Sequence, residues 1–219
     1  MHQRVHVIGR GRAGSAIAAR LEERGLVLTE RDADLVVLCV PDGAINEVAK
    51  RTPVGPWIAH VSGATPLAAL DPHVNRFGVH PLQTFTRRRG PEQLDGAWGA
   101  LTADGAEAEG HARWLAETLG LRPIVIADRD RILYHAGASI ASNYLVTIYR
   151  AAARLVESAG IPAQALVPLM QRTIENGFEL TGPIARGDAA TIAAHLAAIH
   201  RFAPDLAPMY EALAAVTRP

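Results

Sequence analysis

The segment Val5-His6-Val7-Ile8 runs without a break into Gly9-Arg10-Gly11-Arg12-Ala13-Gly14 and then into the alanine-rich stretch Ser15-Ala16-Ile17-Ala18. An apolar run, a glycine cluster and a helix-forming run, in that order, predict strand, tight turn and helix. The glycines have the G-x-G-x-x-G spacing. The first permits the turn, the second lets backbone approach a pyrophosphate, and the third lets the helix pack closely on the strand. Amide groups at the helix start, aided by the positive end of the helix dipole, would hold the phosphates. The competing reading is a glycine turn of a βαβ unit that binds nothing. An acidic residue about 20 positions on is expected at the ribose hydroxyls, and Glu30 stands 30 − 9 = 21 positions after Gly9.

The next strand, Leu35 to Val40, comes almost directly after Glu30-Arg31-Asp32-Ala33-Asp34. A parallel crossover normally takes a dozen or more residues, so a helix is missing here and the adenine-ribose end of the site is trimmed. Arg10, Arg12 and Arg31 together would favour a 2′-phosphate, hence NADP with NAD possible; the alternative is three solvated arginines. Val40, Pro41 and Asp42 close one strand and Ser62 comes just after another, Trp57 to Val61, which places them at the carboxyl ends of strands that line the ligand crevice of a doubly wound sheet. Ser62 lacks a G-x-S-x-G elbow and reads as a hydrogen-bonding group. Arg76 to Val79 is a short strand delivering His80-Pro81, and the proline holds His80 extended, a setting for a positioned acid or base. Strands at 98–102 and 123–126 flank a helix from Ala106 to Leu119.

Past residue 127 the pattern is wholly helical, which divides the chain into an α/β domain, 1–127, and an all-α domain, 128–219. Residues 131–159 lack proline and continue apolar positions at three- and four-residue steps, predicting one helix of roughly 40 Å. Further helices are predicted over 163–180, 189–200 and 204–216, with Asp188 as an N-cap. On the long helix His135, Ser139, Ser142 and Asn143 would form a polar stripe. Arg186 would clamp a substrate carboxylate bidentately, or pair with Asp188 or a partner subunit. Helices with little sheet to lie on are expected to meet a second subunit, giving a homodimer through the helical domain.

Composition narrows the classes. Lysine plus arginine equal aspartate plus glutamate, 22 against 22, which gives no reason to expect a nucleic-acid partner. No apolar run reaches the roughly 18 residues that a membrane span needs, and the amino terminus lacks a signal pattern, so the expectation is a cytoplasmic protein. The single cysteine, Cys39, lies in an apolar run and reads as a buried thiol. The histidines show no H-E-x-x-H spacing, and no metal site is expected. Lys50 is the lone lysine.

Taken together, Gly9-Arg10-Gly11-Arg12-Ala13-Gly14, Val40-Pro41-Asp42, Ser62-Gly63-Ala64, His80-Pro81-Leu82-Gln83-Thr84-Phe85, Tyr134-His135-Ala136-Gly137, Ala141-Ser142-Asn143-Tyr144 and Thr181-Gly182-Pro183-Ile184-Ala185-Arg186-Gly187-Asp188 resemble a bacterial family that joins a Rossmann-like domain to a helical domain of unknown function. That family is similar to pyrroline-5-carboxylate reductases and deazaflavin-dependent NADP reductases. The resemblance implies a Rossmann-like dinucleotide-binding domain followed by a helical domain like that of 6-phosphogluconate dehydrogenase, with NADP as cofactor; the second crossover helix of the larger relatives is missing here. The expected activity is hydride transfer between NADP and a small carbonyl, imine or hydroxy compound lodged between the domains. His80 or His135 would supply the proton, Asn143 would hold the substrate's polar atom, and Arg186 its anion. The alternative is a dinucleotide-binding sensor without turnover.

Overall fold

The computed structural model describes residues 2–217. The chain divides into two compact units, Met1–Ser139 and Ile140–Pro219. In the first, β1 (Arg4–Ile8), β2 (Val27–Leu28), β3 (Leu35–Leu38), β4 (Trp57–His60), β5 (Arg76–Leu82), β6 (Trp98–Ala103) and β7 (Arg122–Val125) form a seven-stranded sheet in the order β2-β1-β3-β4-β5-β6-β7. All neighbours are parallel except β5 and β6. The strand run of β3, Leu35 to Leu38, is buried at every position, as expected of a parallel strand covered on both faces.

Two apolar layers cover this sheet. Helices α1 (Arg12–Glu23) and α3 (Ala106–Thr118) bring Ile17, Leu21, Ala112 and Leu115 onto Val5, Val37, Phe77 and Leu101 on one face. On the other face α2 (Ile45–Arg51) brings Ile45 and Ala49 against Val36, Leu38 and Ile58. Each fully buried aliphatic or aromatic side chain contributes roughly 1.5–3 kcal/mol. The β2–β3 connection carries no helix, as its length requires. It is instead a tight turn in which Asp32 takes φ 52°, and Asp34 accepts hydrogen bonds from the backbone N–H groups of Gln3 and Arg4 at 3.0 and 2.9 Å, stitching the turn to β1. These bonds hold the Asp34 carboxyl below its ordinary range.

The helical stretch departs from its sequence pattern in two places. Residues 131–158 are not one α-helix: α4 (Arg131–Ser139) passes into a π-helical turn over Ile140–Tyr144 and then into α5 (Leu145–Ser158). Apolar spacing does not encode the i→i+5 bonding of such a turn. Then α6 (Leu166–Glu175) stops five residues before Leu180, because Gly177 takes φ 68° and the N–H groups of Gly177 and Phe178 bond back to the carbonyls of Ile174 and Thr173 at 3.0 Å each, a glycine-terminated helix end. Helices α7 (Ala189–Phe202) and α8 (Ala207–Val216) complete the second unit. Asp188 caps α7 by accepting from the Thr191 N–H at 3.0 Å. Among the described residues, no helix is long and apolar enough to cross a membrane.

Candidate functional site

Strand register decides which residues share the edge of the sheet. Ile8 pairs with Leu38, Leu38 with His60, and His60 with Gly78. The segments leaving these strands therefore emerge along one row: Gly9 after β1, Val40-Pro41-Asp42 after β3, and Ser62-Gly63 after β4. His80 lies on β5 itself, opposite Ala100 of β6. The strand runs on to Leu82, so His80 is not at a strand terminus; the antiparallel partner β6 extends β5 beyond the end of β4 and carries His80 to the row.

The glycine turn has three different glycines. At Gly9, φ is 100° and a Cβ would stand 2.4 Å from the Cys39 carbonyl oxygen, so both conformation and space require glycine. At Gly14 a Cβ would stand 2.0 Å from the Gly9 carbonyl oxygen and 2.9 Å from Cys39 Cβ, which is close packing of helix on strand. At Gly11 a Cβ would meet nothing within 4 Å. Gly11 is the N-cap of α1 and no side chain caps that helix start. The cradle left by these three residues fits a diphosphate, whose oxygens would take the uncapped amides. Arg10 and Arg12 are exposed beside it and Ala13 is half-buried. Burial pushes the adjacent Cys39 thiol up to about 12, so it stays protonated and inert.

Glu30 and Arg31 are exposed on the short β2–β3 turn. The Arg31 N–H donates to Thr29 Oγ1 at 3.1 Å, and the Arg31 carbonyl accepts from the Arg4 guanidinium at 3.0 Å. Pro41 and Asp42 are exposed at the row. The Ser62 hydroxyl is used within its own turn: it accepts from the Ala64 and Thr65 N–H groups at 3.2 and 3.0 Å and lies 2.9 Å from Thr65 Oγ1.

Farther along the row, His80 and His135 come together over Gly63. A Cβ on Gly63 would lie 2.6 Å from His135 Cδ2 and 2.9 Å from His80 Cε1. The two imidazoles meet edge to face with ring centres 5.9 Å apart. His80 Nδ1 shares a 2.8 Å hydrogen bond with the Tyr134 hydroxyl. Below them Arg131 is fully buried. Its guanidinium donates to Thr102 Oγ1 at 2.6 Å and to the Ser62 carbonyl, and its Nε has no hydrogen-bond partner among the described residues. His60, also fully buried, has neither ring nitrogen hydrogen-bonded.

Burial and mutual charge set the protonation of this cluster. Burial, then the neighbouring His135 and Arg131, lower His80 to about 4; burial and Arg131 lower His60 to about 3. Burial raises the Tyr134 phenol to about 12. Arg131 is itself shifted down by burial, an effect opposed by Asp128 and Tyr134. At neutral pH the two histidines His60 and His80 are therefore uncharged, Tyr134 is protonated, and a desolvated cation sits beneath them.

Arg131 and His60 carry no local motif in the sequence, and Arg131 reaches Ser62, 69 positions away. A partial signal existed in Tyr134-His135, adjacent polar residues in an alanine-rich helix. In the second unit, Asn143 is exposed within the π-helical turn. Arg186 is exposed in the turn before α7, with its N–H 3.3 Å from the Gly182 carbonyl and no ion pair to Asp188 among the described residues. No group of three or more His, Cys, Asp or Glu residues that would hold a metal ion occurs among the described residues.

A parallel-dominated sheet with the glycine turn at its first βα junction, followed by a helical region, defines a Rossmann-type protein with an appended all-α part. The chain belongs to the family described as Domain of unknown function (DUF2520), whose model matches residues 98–217, more than half of the sequence. Comparison with curated proteins finds no match. Among solved structures, the chain is similar to a Bacteroides fragilis protein provisionally named an NADP oxidoreductase, with 21% identity, 97% of this chain and 96% of that one covered, and a TM-score of 0.81. It is also similar to a Streptomyces aurantiacus imine reductase at 17% identity, covering 97% and 92% of the two chains with a TM-score of 0.69. A further similar structure is the 1-pyrroline-5-carboxylate reductase of Streptococcus pyogenes, at 17% identity, 97% and 95% coverage and a TM-score of 0.63. At such identities the likeness shows the shared fold.

Proposed function

We propose that the protein is a nicotinamide-dinucleotide-dependent oxidoreductase that moves a hydride between NADP, or NAD, and a small carbonyl, imine or hydroxy substrate. The observation that carries this reading is the glycine turn, where Gly9 and Gly14 are filled to contact while Gly11 alone is open. Gly9, Arg10, Gly11, Arg12, Ala13 and Gly14 would hold the diphosphate. Val40, Pro41, Asp42 and Ser62 would border the nicotinamide end along the row, with Glu30 and Arg31 at the adenosine end. When bound, the nicotinamide supplies the hydride chemistry, and the protein's part is orientation and electrostatics.

The chain's own residues handle the proton. A neutral His80 can pass its Nε2 proton to substrate only if its Nδ1 takes the hydroxyl proton of Tyr134 across their shared hydrogen bond, and the phenolate so formed would then be reprotonated from solvent. His135, across Gly63 from His80, is the second candidate for the group that touches substrate. Asn143 and Arg186 are assigned to the substrate's polar atom and anionic group. Names of structural neighbours lend support, since an imine reductase and a pyrroline-5-carboxylate reductase share this fold. Calorimetry with NADP and NAD tests the first requirement: micromolar to millimolar binding is expected, and no heat with either ends the reading. NADPH absorbance monitored with a panel of imines and keto acids tests turnover, which His80→Ala and His135→Ala should reduce by about 100-fold or more while leaving dinucleotide affinity in place.

We also infer a homodimer through the helical unit. Among its described residues the buried ones are Ala151, Ala153, Ala163, Ile199, Ala203 and Ala207, while Ile140, Leu169, Ile174, Phe178 and Phe202 are all more than half exposed. Large apolar side chains left exposed in this way are what a second subunit would cover. Sedimentation should give twice the chain mass at micromolar concentration, and a monomer there overturns the inference. A cytoplasmic location is part of the same reading.

A further inference from the structure

A second cavity-forming element stands beside the glycine turn. The β5–β6 connection carries Arg87-Arg88-Arg89, and Arg87 and Arg89 line a cavity of about 270 Å³ together with Arg10, Gly11, Arg12 and Ser15 at the start of α1. Four arginines from two distant segments thus border one space, and no aspartate or glutamate is among the described residues that line it. Arg10, Arg12 and Arg87 make no ion pair among the described residues; Arg89 is 3.6 Å from Glu92 Oε1, which also accepts the Gly90 N–H at 3.0 Å. In a chain whose formal charges balance, 22 against 22, such crowding of like charge is locally unfavourable and calls for an anion.

The loop is also held in place. Gln93, itself 3% exposed, accepts the Thr86 N–H at 2.8 Å and donates to the carbonyls of Arg89 and Gly90 at 2.8 and 2.9 Å. Its own carbonyl accepts from Gln83 Nε2 at 2.8 Å. A buried amide that spends its hydrogen bonds on the two ends of an arginine loop fixes that loop before any ligand arrives, and such preorganisation lowers the entropic cost of binding.

We propose that the Arg87–Arg89 loop and the Arg10/Arg12 turn form a clamp for a phosphoryl group of the bound dinucleotide. The assignment rests on the proposed dinucleotide binding and adds to it residues from the loop beyond β5. Guanidinium groups suit the task because they present paired donors to phosphate oxygens. Either the diphosphate or a 2′-phosphate would supply the anion, and the two differ in a measurable way.

The test is calorimetry of the full chain with NADP, NAD and inorganic pyrophosphate, comparing the native protein with Arg87→Ala/Arg89→Ala and with Arg87→Lys/Arg89→Lys. The alanine pair should lose affinity by about tenfold or more, and the lysine pair should recover part of it. A loss shared by NADP and NAD assigns the diphosphate; a loss confined to NADP assigns the 2′-phosphate. If both affinities stay within about twofold of native, the clamp is overturned and the dinucleotide reading stands. If the native protein binds neither dinucleotide, that reading falls, and pyrophosphate decides the clamp alone: binding that the alanine pair loses supports it, and binding that is absent or unchanged overturns it.

Discussion

Gly11 and Gly63 both lie just past strands at the same edge of the sheet, yet the space beside them is used in opposite ways. A side chain at Gly11 would meet nothing within 4 Å, whereas one at Gly63 would strike His135 at 2.6 Å and His80 at 2.9 Å. The first glycine keeps room for something outside the chain; the second keeps room for the chain's own imidazoles. Around Gly11 the groups are exposed, cationic and uncapped. Around Gly63 they are half-buried imidazoles packed over the fully buried Arg131. One fold edge thus presents an open, cationic end and a closed end filled by the chain's own imidazoles.

The largest effect that sharpens this contrast is acid sensitivity of the closed end. His80 and His60 have folded values of about 4 and about 3, and burial with the nearby His111 brings His2 to about 4 as well, all below the ordinary 6.5. A base held below its unfolded value binds its proton more weakly in the folded state. Its contribution is therefore present above pH 6.5 and is lost as pH falls toward the folded value. Denaturant unfolding at pH 7.0, 5.5 and 4.5 should show stability falling by about 1.4 kcal/mol per pH unit for each histidine that remains neutral in the fold. A flat profile over that range would mean that the cluster is solvated.

Next in size is Gly63→Ala, which forces the methyl against two rings. Overpacking of this kind costs roughly 1–3 kcal/mol, read by thermal or denaturant unfolding. His135→Ala added to it should restore at least part of the loss, because contacting residues are not additive. Full additivity would show that the two residues do not compete for the same space. A subtler probe is Arg131→Met, which removes the cation and leaves comparable volume. The His80 and His60 titrations, monitored by NMR, should move upward by about half a unit or more; unmoved titrations would assign the whole depression to burial.

Much of the open end was legible in the sequence, and much of the closed end was not. Glycine spacing is a local signal, since Gly9, Gly11 and Gly14 fall within one turn and Gly14 packs on the Gly9 carbonyl, although Cys39, which also crowds Gly9 and Gly14, lies far off in sequence; the missing β2–β3 helix is read from a simple count of residues. The succession of strands and helices is likewise read from the alternation of apolar runs with helical patterns. The closed end is built by contacts across 54 positions for His80 with Tyr134 and 69 for Arg131 with Ser62, which no periodicity records. The arginine loop was similarly hidden. Nothing in Arg87-Arg88-Arg89 itself shows that Gln93 holds this loop or that Arg87 and Arg89 face the start of α1. The π-helical turn at Ile140–Tyr144 lies in a stretch whose apolar spacing remains compatible with an α-helix, so its position depends on packing and not on propensity.

The smallest effect on stability is the one that decides the comparison. Gly11 has φ −70°, a conformation open to any residue, and its absent side chain touches nothing, so Gly11→Ala should change unfolding free energy by no more than about 1 kcal/mol, the difference between glycine and alanine at an N-cap. The same methyl would stand where a diphosphate approaches the backbone. Dinucleotide affinity should therefore fall by about tenfold or more while the fold persists, the reverse of Gly63→Ala, which should weaken the fold and spare diphosphate contacts. Calorimetry and thermal unfolding on the two variants give a two-by-two result. If Gly11→Ala binds as the native protein does, the open glycine is an ordinary helix start, and the distinction between the two ends loses its functional meaning.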